Sequence, residues 1–255
     1  MAVVLPDGYR REDHAALAST NAAALERARA SEGGNLWITA REQTAGRGRR
    51  GRGWTTGEGN LAASLLLIDP APPALAATLS FVAGVALHQA ACDLAGPALA
   101  PRLGLKWPND LLADNRKLAG ILIEGDKLAG SRFAVVIGVG VNCVSHPEIA
   151  GPVPAGDFMA LGVRMDAEAL FVRLAVRMAS AIALWKRGTN FTAIREAWLA
   201  RAGGLGQPIR VTLSNQSFDG RFEDLDGDGR LVLVAPDGER RRVSAGDVFF
   251  PALSG

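Results

Sequence analysis

Residues 103–141 read LGLKWPNDLLADNRKLAGILIEGDKLAGSRFAVVIGVGV. Three apolar runs, LGLKW, KLAGILIE and FAVVIGVGV, read as strands joined by tight turns, with Pro108 ending the first and Asn109-Asp110 forming a turn. Upstream, LAASLLLI (61–68) reads as a buried strand, followed by a turn at Pro70, Pro72 and Pro73. Residues 77–94 place Leu79, Val82, Ala86, Leu87, Ala90 and Leu94 on or near one helical face. LWITAR (36–41) is a short strand, and residues 15–30 predict a helix with Ser19, Thr20 or Asn21 near its start. Downstream, Asp166 suits the N-cap of a long helix reaching Lys186 and stopped by Gly188, and a second helix covers roughly 190–201. After GGLGQP (203–208) the character changes. IRVTL, SFDGRF, RLVLVA and ERRRVS alternate, separated by Asp-Gly turns, and predict a small antiparallel barrel. The layout is α+β: a larger domain over 1–204 and a C-terminal β module over 205–255.

The 255 residues, 48% hydrophobic and 21% charged, describe a globular chain rather than a disordered one. A net charge of +2 gives no whole-molecule field toward nucleic acid. The absence of a long uncharged apolar run predicts no membrane span, and the N-terminus MAVVLPDGYRRED has no apolar core of signal-peptide length, so the expected location is cytoplasmic. Cys92 and Cys143 lie in apolar surroundings and read as buried free thiols. Isolated His14, His88 and His146, with no CxxC, argue against zinc. Only Lys106, Lys117, Lys127 and Lys186 are lysines in a chain that otherwise uses arginine, and two of them fall in the opening stretch.

Three segments carry chemistry. In Gly46-Arg47-Gly48-Arg49-Arg50-Gly51-Arg52-Gly53-Trp54 the glycines free backbone N–H groups and the arginines offer bidentate donors, a combination suited to an anion. The stretch matches GxGxxG literally, but Gly53-Trp54-Thr55-Thr56-Gly57 cannot open the helix that a dinucleotide fingerprint requires. In Lys106-Trp107-Pro108-Asn109-Asp110, followed by Arg116-Lys117, a carboxylate and two lysines converge near one hairpin, where they can stabilise charge developing during a transfer. Gly138-Val139-Gly140-Val141-Asn142 permits close backbone approach at a strand end. A solvated basic loop, a polar turn and a tight core crossing are the respective alternatives. Asp224, Asp226, Asp228 and Gly229 imitate the start of a calcium loop, but Ala235 stands where the bidentate glutamate belongs, so the segment reads as a hairpin turn.

Taken in order, these segments resemble the biotin protein ligases. Ser19-Thr20-Asn21 resembles the family's STN segment, and Gln43 followed by AGRGRRGRGW resembles its adenylate-binding loop. KWPND, RKLAGILIE and GVGVN follow at similar spacings, and the β module resembles the family's SH3-like C-terminal domain. Thr44 departs, standing where some members carry a second glutamine. Family members that repress transcription carry a helix-turn-helix domain before the STN segment; only 18 residues precede Ser19, so the expectation is a ligase without that role.

The resemblance implies a mixed-sheet catalytic domain like the class II synthetase-like biotin/lipoate ligases. It implies biotin and ATP as substrates with Mg2+, and transfer of biotin through biotinyl-5′-AMP to a lysine of a biotin carboxyl carrier protein of acetyl-CoA carboxylase. Other biotin-dependent carboxylases, and a homodimer, stay open as partners; neither nucleic acid nor a membrane is implied. By the same resemblance Ser19, Thr20, Asn21, Gln43, Gly46, Arg47, Gly48, Lys117, Gly138 and Gly140 would bind biotin. Arg49, Arg50, Arg52, Trp54, Lys106, Asn109, Asp110 and Asn142 would bind the nucleotide, with Lys117, Arg49 and Asp110 as the catalytic group and Trp54 and Trp107 as apolar walls. No histidine falls in a matched motif, so no imidazole base is implied. The nearest rival is a lipoate ligase, which runs the same adenylate chemistry; a nucleic-acid binder using the arginine loop is the non-enzymatic one.

Overall fold

The computed structural model describes residues 4–147, 153–213, 216–244 and 246–250. A seven-stranded mixed sheet forms its centre, built from β1 (Arg10–Leu17), β2 (Leu36–Gln43), β3 (Leu61–Ile68), β4 (Leu103–Lys106), β5 (Asp110–Ala113), β6 (Arg116–Lys127) and β7 (Phe133–Val141). Its order is β1-β2-β3-β7-β6-β5-β4, with β1 and β2 parallel and every other pair antiparallel. Helix α1 (Thr20–Arg29) covers one face, packing Ala24 and Ala28 onto Leu36, Ile38, Leu66 and Val136. A short α2 (Pro73–Ala76) leads into α3 (Leu79–Leu99), which covers the other face together with α4 (Ala167–Trp185) and α5 (Phe191–Leu199). Two covered faces explain why β3 and β7 are nearly continuous apolar runs. The period-two alternation then decides which side each residue sees: Leu36 and Ile38 face α1, and Trp37 between them enters the larger core.

Several boundaries differ from the sequence reading. Residues 10–17 form strand β1, and α1 begins only at Thr20, with Ser19 Oγ accepting the Ala22 N–H as N-cap. Strand β1 escapes a reading by apolar pattern because it is a half-exposed, charged edge strand, RREDHAAL. Asp110 opens a fourth strand in the central stretch, β5, rather than closing a turn. At α4 the expectation holds: Asp166 Oδ1 accepts the Ala169 N–H at 2.7 Å.

Residues 70–92 contain no Asp, Glu, Lys or Arg, and the segment Pro73–Arg102 is long and apolar enough, by length and composition, to cross a membrane. This corrects the expectation that no such run exists. Its most apolar window is 67% buried between the sheet and α4, the pattern of a core helix.

The C-terminal module is a five-stranded antiparallel sheet, β8 (Pro208–Thr212), β9 (Ser217–Leu225), β10 (Leu231–Val234), β11 (Arg240–Val243) and β12 (Asp247–Phe249), in the order β11-β10-β9-β8-β12. The turn after β9 is the hairpin expected of the Asp-rich segment, with Asp226 N–H on Arg230 O and Gly229 N–H on Asp226 O. Strand β12, which the sequence reading omitted, pairs with β8 and reaches back to the main sheet. Ile209, Val211, Phe222 and Leu225 join the same core as α3 and α5, and Trp107 Nε1 donates to Gly229 O at 3.0 Å.

Candidate active site

A cleft of about 510 Å³ opens on the α1 face of the sheet, between that face and β12. Register places its floor. Ala62, Gly140, Gly120, Asp110 and Lys106 are successive cross-strand partners across β3, β7, β6, β5 and β4. The neighbouring row is Ser64, Gly138 and Leu122. Directly opposed residues share a face, so segments far apart in sequence meet on one surface.

At one end of the cleft lies a largely buried hydrogen-bond network, uncharged except where Asn21 reaches Glu124 at its edge. Gln43 Oε1 accepts from Thr20 N–H at 2.8 Å and from Thr20 Oγ1 at 3.0 Å, while Gln43 Nε2 donates to Thr56 Oγ1 at 3.1 Å. Ser64 Oγ lies 2.7 Å from Thr20 Oγ1 and 2.5 Å from Asn21 Oδ1. Asn21 Nδ2 donates to Glu124 Oε2 at 2.8 Å. Ser19, Thr20, Asn21, Thr56 and Ser64 are all buried. Ser64 and Thr56 were not among the expected site residues; the one available signal for Ser64 was a hydroxyl inside the otherwise apolar LAASLLLI.

Gly138 and Gly140 line the cleft and make room there for protein side chains. A Cβ on Gly138 would stand 2.2 Å from Asn21 Oδ1, and one on Gly140 would stand 2.4 Å from the Trp54 indole. The Trp54 ring therefore lies on the floor, with Lys117 Nζ 5.6 Å from its centroid. Trp107, expected as a second wall, is buried beneath the C-terminal module instead and does not line this cleft.

At the centre, Asp110 joins the two lysines, its oxygens 3.1 Å from Lys106 Nζ and 2.7 Å from Lys117 Nζ. Burial by itself pushes the Asp110 carboxyl up, but the charges and hydrogen bonds of Lys117 and Lys106 outweigh it and hold it below the usual value. Lys106 is itself buried and also donates to Val248 O at 3.4 Å. The backbone of Lys117 is held on both sides, its N–H on Pro154 O and its carbonyl under the Gly156 N–H. Asn142 Nδ2 braces that segment through Gly156 O at 2.9 Å.

The other end is charged. Residues 43–56 form an irregular hairpin stitched by isolated bridges at Gln43–Thr56 and Arg47–Gly53. Arg50 and Gly51 take positive φ at its tip, 57° and 71°, which calls for the glycine. Arg49 Nη1 donates to Asn109 Oδ1 at 3.0 Å, and Asn109 Nδ2 to Ile121 O at 2.7 Å. Burial lowers the Arg49 pKa; Asp247 and Asp110 oppose that effect and Arg50 and Arg52 add to it. Arg47 pairs with Glu124 at 3.2 Å, and Arg50 and Arg52 pair with Asp247 at 3.4 and 2.9 Å. Gly46 and Arg50 do not line the cleft, whereas Asp247 and Phe249 of β12 do. Glu124 and Asp247 were missed as site residues: nothing local to either marks it as a partner of the arginine loop.

Residues 15–142 match the Biotin/lipoate A/B protein ligase family, and residues 204–250 match the Biotin protein ligase C terminal domain. The chain is similar to a biotin–[acetyl-CoA-carboxylase] ligase of Paracoccus denitrificans, 42% identical over 91% of this chain and 97% of the relative. It is also similar to one of Mycobacterium tuberculosis, 37% identical over 94% and 89%. In fold it is similar to the biotin protein ligase of Aquifex aeolicus in complex with biotin and ATP, with a TM-score of 0.75, 22% identity and coverage of 94% and 97%. The first match covers biotin and lipoate ligases together, and the second is named for the biotin enzymes. By its motifs, its two matched domains and its relatives, the chain belongs to the biotin protein ligase family.

Proposed function

We propose that this protein activates biotin with ATP to biotinyl-5′-AMP and transfers biotin to a lysine of the biotin carrier of acetyl-CoA carboxylase. The observation that carries this reading is the Lys106–Asp110–Lys117 cluster, set between a neutral hydrogen-bond pocket and an arginine hairpin. The first step brings a carboxylate oxygen against the α-phosphate and expels pyrophosphate. Both reactants are anions, so their repulsion must be offset where they meet. The Lys117 ammonium, steadied by Asp110 and by its doubly held backbone, is the group we assign to that point. Asp110 acts by orienting Lys117 and Lys106. The neutral end around Thr20, Asn21 and Gln43 suits an uncharged, hydrogen-bonding ring, and the arginine end suits phosphates. In the second step the carrier lysine, having lost one proton to solvent as the free amine, attacks the carbonyl carbon of the mixed anhydride; the C–O bond to AMP breaks, AMP leaves, and the nitrogen loses a second proton to solvent, keeping one N–H in the amide.

Mg2+ belongs to this reading as the companion of the triphosphate. Among the described residues no group of three His, Cys, Asp or Glu could hold a metal ion, and Asp110 is engaged by two lysines. Other biotin carriers, a homodimer and a cytoplasmic location are part of the proposal. The test is incubation with biotin, MgATP and a biotin carrier domain, read by intact mass, beside pyrophosphate exchange driven by biotin or by lipoate. Biotin-dependent exchange and a carrier heavier by one biotin are the expected results; exchange with lipoate alone would overturn the assignment.

A further inference from the structure

The C-terminal module contributes a charged side chain to the cleft. Asp247 on β12 lines it and accepts from Arg52 Nη2 at 2.9 Å and from Arg50 Nη1 at 3.4 Å, across 195 residues of chain in the first case. The next residue, Val248, takes the Lys106 ammonium on its carbonyl. One three-residue strand thus touches both the arginine hairpin and the lysine cluster. An anionic side chain among the groups that must receive a polyphosphate is at odds with simple charge complementarity. It lines the cleft and its partners are exposed arginines, so the pairs are exchangeable.

We infer that Asp247 is a positioning residue that competes with the polyphosphate for Arg50 and Arg52. It holds the hairpin against β12 while the site is empty and yields the arginines when phosphate oxygens arrive. An interaction made in the free protein and lost in the complex weakens ligand binding by its own free energy. Asp247 therefore sets ATP affinity below what the arginines alone would give, and it couples the last strand of the C-terminal module to nucleotide occupancy. This rests on the reading of the hairpin as the polyphosphate site.

The test is a double-mutant cycle in biotin-dependent ATP–pyrophosphate exchange, using Asp247→Asn, the pair Arg50→Ala with Arg52→Ala, and all three together. Circular dichroism of each variant establishes folding, and Asp247→Glu serves as the conservative control. Asp247→Asn is expected to lower KM for ATP by about threefold to tenfold, the scale of two exposed ion pairs, without raising kcat. Asp247→Glu stays near the parent. The arginine pair raises KM, and adding Asp247→Asn to it changes nothing further. A KM that is unchanged or raised in Asp247→Asn overturns the inference. So does a decrease that persists without the two arginines, since that would be plain repulsion between Asp247 and the phosphates. If the arginine pair leaves KM for ATP unaltered, it is the reading of the hairpin as polyphosphate site that fails.

Discussion

The two ends of the cleft are built from different kinds of bond. At the α1 end, Thr20, Asn21, Gln43, Thr56 and Ser64 form neutral hydrogen bonds, those of Ser64 between buried groups and those of Gln43 partly buried. At the hairpin end, Arg47, Arg50 and Arg52 form ion pairs in contact with water. Breaking a buried hydrogen bond leaves an unsatisfied group at a cost of about 1–3 kcal/mol. An exposed ion pair contributes only about 0–1 kcal/mol. The first end is therefore rigid and shaped before a ligand arrives, whereas the second can exchange its internal anion Asp247 for the ligand's; Glu124, which accepts from Asn21 and pairs with Arg47, joins the two ends. A ring that must be recognised by shape suits the former, and a polyphosphate that must enter and leave as pyrophosphate suits the latter.

The point where the ends meet should show the largest effect. Replacing Lys117 with Ala removes the charge assigned between the two anions. Biotin-dependent pyrophosphate exchange should fall by roughly 10²-fold or more, the scale of one preorganised donor, with folding retained by circular dichroism. Near-normal exchange would move the chemistry away from Lys117.

Gly138→Ala tests the rigidity of the neutral end. Its Cβ would meet Asn21 Oδ1 at 2.2 Å and Asn21 has little room to move, because Ser64 and Glu124 hold it. We expect a loss of about 1–3 kcal/mol of stability and a weakening of biotin binding by about tenfold, read by calorimetry, with ATP affinity much less affected. Equal losses for both ligands would erase the distinction between the ends.

Arg49→Gly tests the exchangeable end. It removes a half-buried guanidinium and its bond to Asn109. Retention of biotinyl-AMP should suffer more than its formation, by several-fold, and the escaping anhydride should acylate lysines of a bystander protein, seen by mass spectrometry. Hydrogen exchange over residues 43–55 should slow with biotin and ATP, since closing a glycine-rich segment costs about 1–2 kcal/mol per ordered residue unless a ligand offsets it. Equal protection with and without ligands would make the hairpin a fixed wall.

The smallest effect is in pH. The Asp110 carboxyl lies below its ordinary value of 3.8 in the folded protein. A depressed carboxyl contributes stability that is present above the ordinary value and lost as pH falls through the folded one. The stability difference between the parent and Asp110→Asn should therefore be flat from neutral pH down to about pH 5 and shrink only in stronger acid. A difference that changes near neutrality would show that the two lysines do not hold the carboxylate ionised.

The chemistry-bearing residues were legible in the sequence because they sit in short runs whose composition is itself the signal. GRGRRGRGW reads as an anion-binding loop, KWPND followed by RKLAG as a place where lysines converge on a carboxylate, and Ser19 as one of three residues near a helix start, where it proves to be the N-cap. The apolar strands β3 and β7 and the helices α3 and α4 were legible for the same reason, since burial on both faces leaves an apolar run or a periodic stripe. Tertiary structure alone decided which segments share a face. The row from Ala62 to Lys106 exists only through strand register, which no local pattern encodes. The same holds for Ser64 beneath Asn21, Glu124 beside Arg47, and above all Asp247. A three-residue strand offers too few positions for any periodicity, and the partners of Asp247 lie across nearly the whole chain. Trp54 and Trp107 make the point in miniature: both looked like walls of one site, and packing sent one to the cleft floor and the other beneath the C-terminal module.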